Sequence, residues 1–399
     1  MSEKIIYRPS VYDDDPRDEL GEISSLERIR NAILIGTSII YCLAMLLPFM
    51  SQPVMDAGPI PTSLLSYGLM FLGFLSNIAE NISVAALIAI LIAACIIMTV
   101  VFVVSSIKNY KRYADGDASL FGRNVFYLVS IPAIYLLVMG YFAVDYDVYW
   151  YAMAHIGFFL TVLTGALSVI LLIILSIDRS KVRPIGIISV VLSVVCFVLI
   201  FNCLNNPIFD VSAESAEGGN MIYEVSFDSF ERFYDLDYIE DHLRDVEKYG
   251  KEKVFTDAYF RAQHFVDKAG GLAKALMLEL PMYVPALMLI SLFVMILSSA
   301  AASSALLTKF SLANKKKRGI IISKSILAVS TAVFAWSQLQ ILSAVDNVKM
   351  WLNTLPDGID TTFHTLEMSL NPYPILAIAA AIVLLILNVR PRRSHSIDS

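Results

Sequence analysis

The chain has 399 residues, of which 57% are hydrophobic and only 17% charged, with a formal net charge of −6 and a mean hydropathy of +0.66. A soluble protein carries about a quarter charged residues and does not gather its apolar residues into runs of roughly twenty, the length that crosses a ~30 Å hydrocarbon layer. Composition therefore excludes a soluble enzyme, a disordered protein and a disulfide scaffold. Unbroken apolar runs also exclude an outer-membrane barrel, whose strands alternate in polarity.

The predicted fold class is all-α, a polytopic helical membrane protein with eight spans. From the amino terminus, residues 1–30 form a polar tail. No small-residue cleavage site follows the first apolar run, so that run reads as a retained anchor. Spans are expected at 31–50, 83–107, 124–144, 155–177, 184–204, 282–308, 319–345 and 373–389. The stretch LLSYGLMFLGFLSNI at 64–78 is apolar but too short to cross, and fits an interfacial or re-entrant helix on the outer face. Pro132 predicts a kink in the third span.

Lys and Arg set the direction. With eight spans, the short segments on one side hold 20 of them and those on the other side hold one, Lys349. Both termini are therefore expected in the cytoplasm, with the protein in the cytoplasmic (inner) membrane. The acidic excess falls on the outer segments, so the basic loops report topology and attraction to anionic headgroups rather than nucleic acid.

The units that follow are 31–177 with four spans, 184–204 with the fifth, an acidic outer insertion at 205–281, 282–389 with three spans, and a basic cytoplasmic tail at 390–399. The insertion opens on a piece read as flexible, VSAESAEGG at 211–219. Two helical patterns then follow, one through Phe230, Phe233, Tyr234, Ile239, Leu243 and Val246, the other from Val254 to Ala269. Gly250 and Gly270-Gly271 suit helix stops, which gives an extracytoplasmic helical hairpin. His242 and His264, one on each helix, lack a third placed ligand, so no metal is expected. Cys42, Cys95, Cys196 and Cys203 form no CxxC pair and read as packing residues.

Four spans on either side of residue 180 would form a parallel 4+4 repeat, because an even number per half preserves direction. LLPFM at 46–50 against NNPIF at 205–209 places a proline where the first span of each half ends. No Walker loop, HExxH or GxSxG is present, and the five histidines are scattered, so neither enzyme activity nor a cofactor is expected. The seventh span is the informative one. Lys324, Thr331, Gln338 and Asp346 fall within about 40° of one line, with Trp336 and Gln340 on other faces. Polar groups at depth face a bundle interior or a cavity, so this stripe reads either as a substrate path or as a packing seam.

AMLLPFM (44–50) followed by PTSLLSYG (61–68) resembles the first-span and outer-loop pattern of the paraquat-inducible protein A-like inner-membrane family. GRNVFYLVSIPAI (122–134) is similar to that family's third-span motif, with Asn124 where an acid normally stands, and AHIGFFLTVLTGALS (154–168) resembles its fourth span. The family's cytoplasmic zinc ribbons are missing. The resemblance implies a membrane partner of mammalian-cell-entry-type lipid-transfer proteins, acting with membrane lipids. The expected function is lipid or hydrophobic-solute transport across the envelope. The alternative is an envelope sensor or assembly scaffold that binds another protein through its outer hairpin.

Overall fold

A computed structural model describes residues 16–52, 60–75, 84–111, 118–145, 150–177, 182–215, 220–225, 244–261, 265–281, 283–307, 314–354 and 363–389. Among them, seven helices are long and apolar enough to cross a membrane: Ser25–Leu46, Ile88–Lys111, Leu120–Phe142, Ile156–Ile177, Pro184–Asn205, Tyr283–Leu307 and Arg318–Thr354. Tyr373–Val389 is a further apolar helix of 17 residues. The chain is thus a helical, membrane-embedded protein.

The first half begins with α1 (Pro16–Leu46), so part of the expected tail is a helical extension of the first span. The helix also stops earlier than expected. Pro48 has no N–H and its ring blocks a further turn, and Pro48–Gln52 turn into strand β1 instead. This strand pairs with β2 (Ile60–Ser63) in an antiparallel ribbon. The apolar stretch after it is α2 (Leu64–Leu75), at 12 residues too short to cross. It lies against α3 (Val84–Lys111), where Gly68 faces Ile92 and Ile96. Tyr67 from α2 packs edge-on to Phe49 and Phe142, closing that end of the half with rings.

Next come α4 (Ala118–Asp145), the short α5 (Trp150–Met153) and α6 (Ile156–Ile177). Asn31, Leu34, Ser38, Tyr41 and Met45 recur at three- and four-residue spacing and form the buried face of α1. The facing stripe of α6 is small or short: Gly157, Thr161, Gly165 and Ser168. A Cβ at Gly157 would stand 2.9 Å from the Ala44 carbonyl oxygen, so glycine lets α6 close on α1. Deeper in, Thr37 and Ser168 share a hydrogen bond of 2.6 Å. Pro132 lies within an uninterrupted α4, and its ring packs where a Cβ on Gly165 would be.

In the second half, α7 (Pro184–Asn205) leads through Pro207 into β3 (Phe209–Ser215), which pairs with β4 (Asn220–Val225). The piece read as flexible from its Ser, Glu and Gly content is mostly strand. Ordering comes from long-range pairing, since β3 also pairs along its length with β5 (Phe363–Leu370). The described residues are overwhelmingly helical, as the all-α expectation has it, with five short strands added, two of them in the insertion at 205–281.

Residues 244–249 are helical (α8), and Gly250 ends them with φ +84° and a bond from its N–H to the Val246 carbonyl, as expected. There follow α9 (Lys251–Arg261) and α10 (Phe265–Glu279). The helix stop expected at Gly270-Gly271 does not occur. Buried Ala269, Leu272, Ala273 and Leu276 flank the glycines and hold the turn by packing, which outweighs the roughly 1 kcal/mol cost of each glycine. Most of the first expected hairpin helix lies outside the described residues, as do His242 and His264.

The remaining helices are α11 (Tyr283–Ala302), the short α12 (Ser304–Leu307), α13 (Asn314–Thr354) and α14 (Tyr373–Val389). The closest pairings are α11 with α13 and α7 with α14. Asn388 of α14 donates from Nδ2 to Ser193 Oγ of α7 at 3.0 Å, so α14 lies alongside a full span. The hub is α4, packed on α1, α3 and α6 on one side and on α7, α11 and α12 on the other. Where its first turn meets α12, a Cβ on Gly122 would fall 2.2 Å from Ser304 Cα, and Ser303 Oγ donates to the Gly122 carbonyl. Gly186 of α7 meets the backbone of Leu306 and Leu307 equally closely, and the Arg183 N–H donates to the Leu307 carbonyl at 2.7 Å.

α1 and α7 are held at their ends in corresponding ways. Their spanning parts are both 22 residues long and both end two residues before a proline, Pro48 or Pro207. The residue after each proline accepts a backbone bond at 3.0 Å: Phe49 from His155, one residue before α6, and Ile208 from Asn371, two residues before α14. One position further on, Met50 is bridged to Ala154 and Phe209 to Leu370. One position beyond that, the side chains of Ser51 and His155 are hydrogen-bonded, as are those of Asp210 and Asn371.

Candidate functional site

The seventh-span stripe lies on α13, a helix longer than the expected 319–345 at both ends. Its four residues do not share one environment. Thr331 is buried and its hydroxyl donates to the Leu327 carbonyl at 2.8 Å. Gln338 is buried too, and its Nε2 donates to Met288 Sδ of α11 at 2.8 Å. Lys324 is half-buried, and Asp346 is exposed beyond the end of α11. On the other faces, Trp336 stacks on Tyr283 with ring centroids 6.2 Å apart and planes 1° off parallel. Both rings are largely exposed, as aromatic residues at a membrane–water boundary are.

The buried face of α13 runs through Leu327, Phe334, Ile341 and Val345. The stripe follows one flank of it, and the other flank borders a groove shared with α11. Leu287, Ile290, Ser291 and Val294 line it from α11, and Ser325, Ile326, Val329, Ser330 and Val333 from α13. The groove holds about 400 Å³, within the roughly 300–1,000 Å³ of ligand sites. Two of its three serines turn their hydroxyls back to their own helices: Ser291 Oγ donates to the Met288 carbonyl at 2.8 Å and Ser330 Oγ to the Leu327 carbonyl at 3.1 Å. What remains is an apolar trough open to the bilayer, and Ile290 and Val329 on its rims are 58% and 64% exposed. Sequence reading missed it, because it belongs to two helices and needs their register.

A second cluster was also missed. Where α3 ends beside the starts of α1's span and α4, Asn109 Nδ2 of α3 donates to Asn31 Oδ1 of α1 at 2.8 Å, and Ser105 Oγ donates to Asn124 Oδ1 of α4. Beside them the Arg30 guanidinium lies 4.3 Å above the Phe121 ring, and Glu27 and Arg30 are both buried. Among the described residues, Asn109 Oδ1, Asn124 Nδ2 and Ser106 Oγ have no hydrogen-bond partner within the protein. These groups keep capacity for water or a polar headgroup. The signal was the recurrence of Asn and Arg just inside apolar runs, masked by counting Arg30 with the tail.

All four cysteines are free, with Cys95 and Cys196 buried. Among the described residues no group of three His, Cys, Asp or Glu could hold a metal ion. Comparisons with protein families, with curated proteins and with solved structures return no match.

Proposed function

We propose that this chain is an eight-span inner-membrane protein, both termini cytoplasmic, that moves lipid or another hydrophobic solute across the cell envelope with a partner protein. The observation that carries this reading is the trough between α11 and α13, a largely apolar site of ligand size at membrane depth, where the Ser291 and Ser330 hydroxyls are bonded back to their own helices. An acyl chain suits it, because it offers dispersion contacts and asks for no hydrogen bonds. The matching clasps around Pro48 and Pro207 support a parallel 4+4 repeat, with α14 as the eighth span in the place α6 holds in the first half. The helices α8–α10 support the outer helical unit, with the sheet as an addition.

A bulky substitution in the trough tests the reading. Val329→Trp points a large ring into the space from an exposed position, so the fold has no reason to fail. Lipid mass spectrometry on the purified protein should find co-purifying lipid in the parent chain and less of it in the variant. Equal lipid in both would remove the trough from the path. Gln338→Leu supplies the comparison for the stripe: a path along it requires function to fall while the protein stays folded.

The alternative, a sensor or scaffold, draws on the outer sheet. Strand β4 is an edge strand whose Ile222 is 67% exposed and Met221 40% exposed, and an open strand edge can accept a strand from another protein. A partner captured at β4 with no lipid in the trough would favour it.

A further inference from the structure

Where α13 outruns α11, its last turns meet α9 and the end of α10 around a pocket of about 390 Å³. Lys251 and Phe255 face it from α9, Glu279 from α10, and Asn347, Trp351 and Thr354 from α13. Its wall is aromatic: the Phe255 and Trp351 rings stand 5.6 Å apart at 72°, with Val348 and Met350 beside them. Among the described residues its charged lining is acidic, with Glu252 and Glu279 against Lys251.

The occupancy of Glu279 is informative. Its Oε1 accepts from Lys251 Nζ at 3.1 Å, whereas among the described residues its Oε2 receives only the long 3.5 Å contact from Asn347 Nδ2. Glu279 is 19% exposed while its lysine is 48% exposed. The carboxylate is therefore anchored and partly dehydrated, and the ammonium that neutralises it sits on a flexible side chain at the rim. A ligand ammonium on Glu279 would displace Lys251 into solvent.

We propose that this pocket binds an ammonium-bearing molecule with a short apolar body, the ammonium on Glu279 and the body against Phe255 and Trp351. A positive charge beside aromatic faces and a carboxylate gains from both. An anion would face the Glu252 and Glu279 carboxylates, with Lys251 already paired to Glu279. The ammonium could belong to a free amine or to the ethanolamine headgroup of a lipid, and the chemistry of the pocket is the same for either. Its placement on the outer face rests on the orientation proposed above; its ligand class does not.

The test uses the full chain with Trp150→Phe and Trp336→Phe, which leaves Trp351 as the remaining one of three tryptophans. Trp351 emission is titrated with n-butylamine and with n-butanol, in nanodiscs of phosphatidylglycerol and in nanodiscs containing phosphatidylethanolamine. In phosphatidylglycerol discs, butylamine should give a saturable change and butanol none. A butylamine response equal in both disc types assigns the site to free amines. A response lost in the ethanolamine discs assigns it to the headgroup.

Glu279→Gln should weaken butylamine at least about tenfold, the scale of one charge-assisted hydrogen bond. Lys251→Met, which removes the internal competitor, should tighten it. Both variants should elute and melt as the parent chain does, since they alter a surface pair. No saturable response in phosphatidylglycerol discs, an equal response to butanol, or weaker binding in Lys251→Met would each overturn the proposal. Trough lipid is read separately by mass spectrometry, so either reading can fail alone.

Discussion

Gly122 and Gly186 stand where another residue's backbone occupies the space of a side chain, against Ser304 and against Leu306. Backbone cannot step aside as a side-chain tip can, so Gly122→Ala and Gly186→Ala should each destabilise by about 1–3 kcal/mol, the usual cost of overpacking. Gly36→Ala and Gly140→Ala, inside helices and with nothing within 4 Å of the added carbon, are the controls and should raise stability to thermal unfolding in detergent by up to about 1 kcal/mol. A second residue-scale expectation concerns the Asn31–Asn109 pair. Asn31→Leu should cost about 0.6–2 kcal/mol, the range for an interhelical hydrogen bond in membranes. Asn31→Leu combined with Asn109→Leu should cost less than the two single changes together, because neither amide is then left alone.

At the scale of elements, helices were legible and strands were not. A run of about twenty apolar residues has one meaning in a membrane, and its ends follow from charge and proline. Strand β3 carries no such signature. FDVSAES has few β-branched residues, and its order comes from β5, more than 140 residues further along the chain. The helix through Gly270-Gly271 is a similar case, where burial decides against local preference. The Asp210–Asn371 and Ser51–His155 bonds give this scale its prediction. In a background without the four native cysteines, Asp210→Cys with Asn371→Cys and Ser51→Cys with His155→Cys should each form a disulfide on mild oxidation. Failure of only the second pair would mean that the halves are not clasped alike.

For the whole molecule, the asymmetry of Lys and Arg predicts where each loop lies. Reporters fused after Lys111, Lys181 and Lys316 should read as cytoplasmic, and one placed between β3 and β4 as extracytoplasmic. A cytoplasmic signal from the last would overturn the count of spans. The candidate site was less legible than the architecture. The polar residues of α13 were visible as a stripe, but a stripe says nothing about what it faces. Two of its four residues turn out to be closed into the seam with α11 or bonded within α13 itself, while the trough and the aromatic pocket each need the register between separate helices. Asn124 and Arg30 were visible one by one, and only packing brings them to neighbouring faces of one half.

The clasps described around Pro48 and Pro207 tie α1 to α6 and α7 to α14 at one end of the bundle, beside the strands. The contacts that join the halves, through Gly122, Gly186 and the Leu307 carbonyl, lie at the opposite end. Opening at the strand end would keep every clasp and the close contacts at Gly122 and Gly186, which would act as the spine. It would have to part α4 from α7, where the Phe126 and Phe197 rings stand 6.3 Å apart.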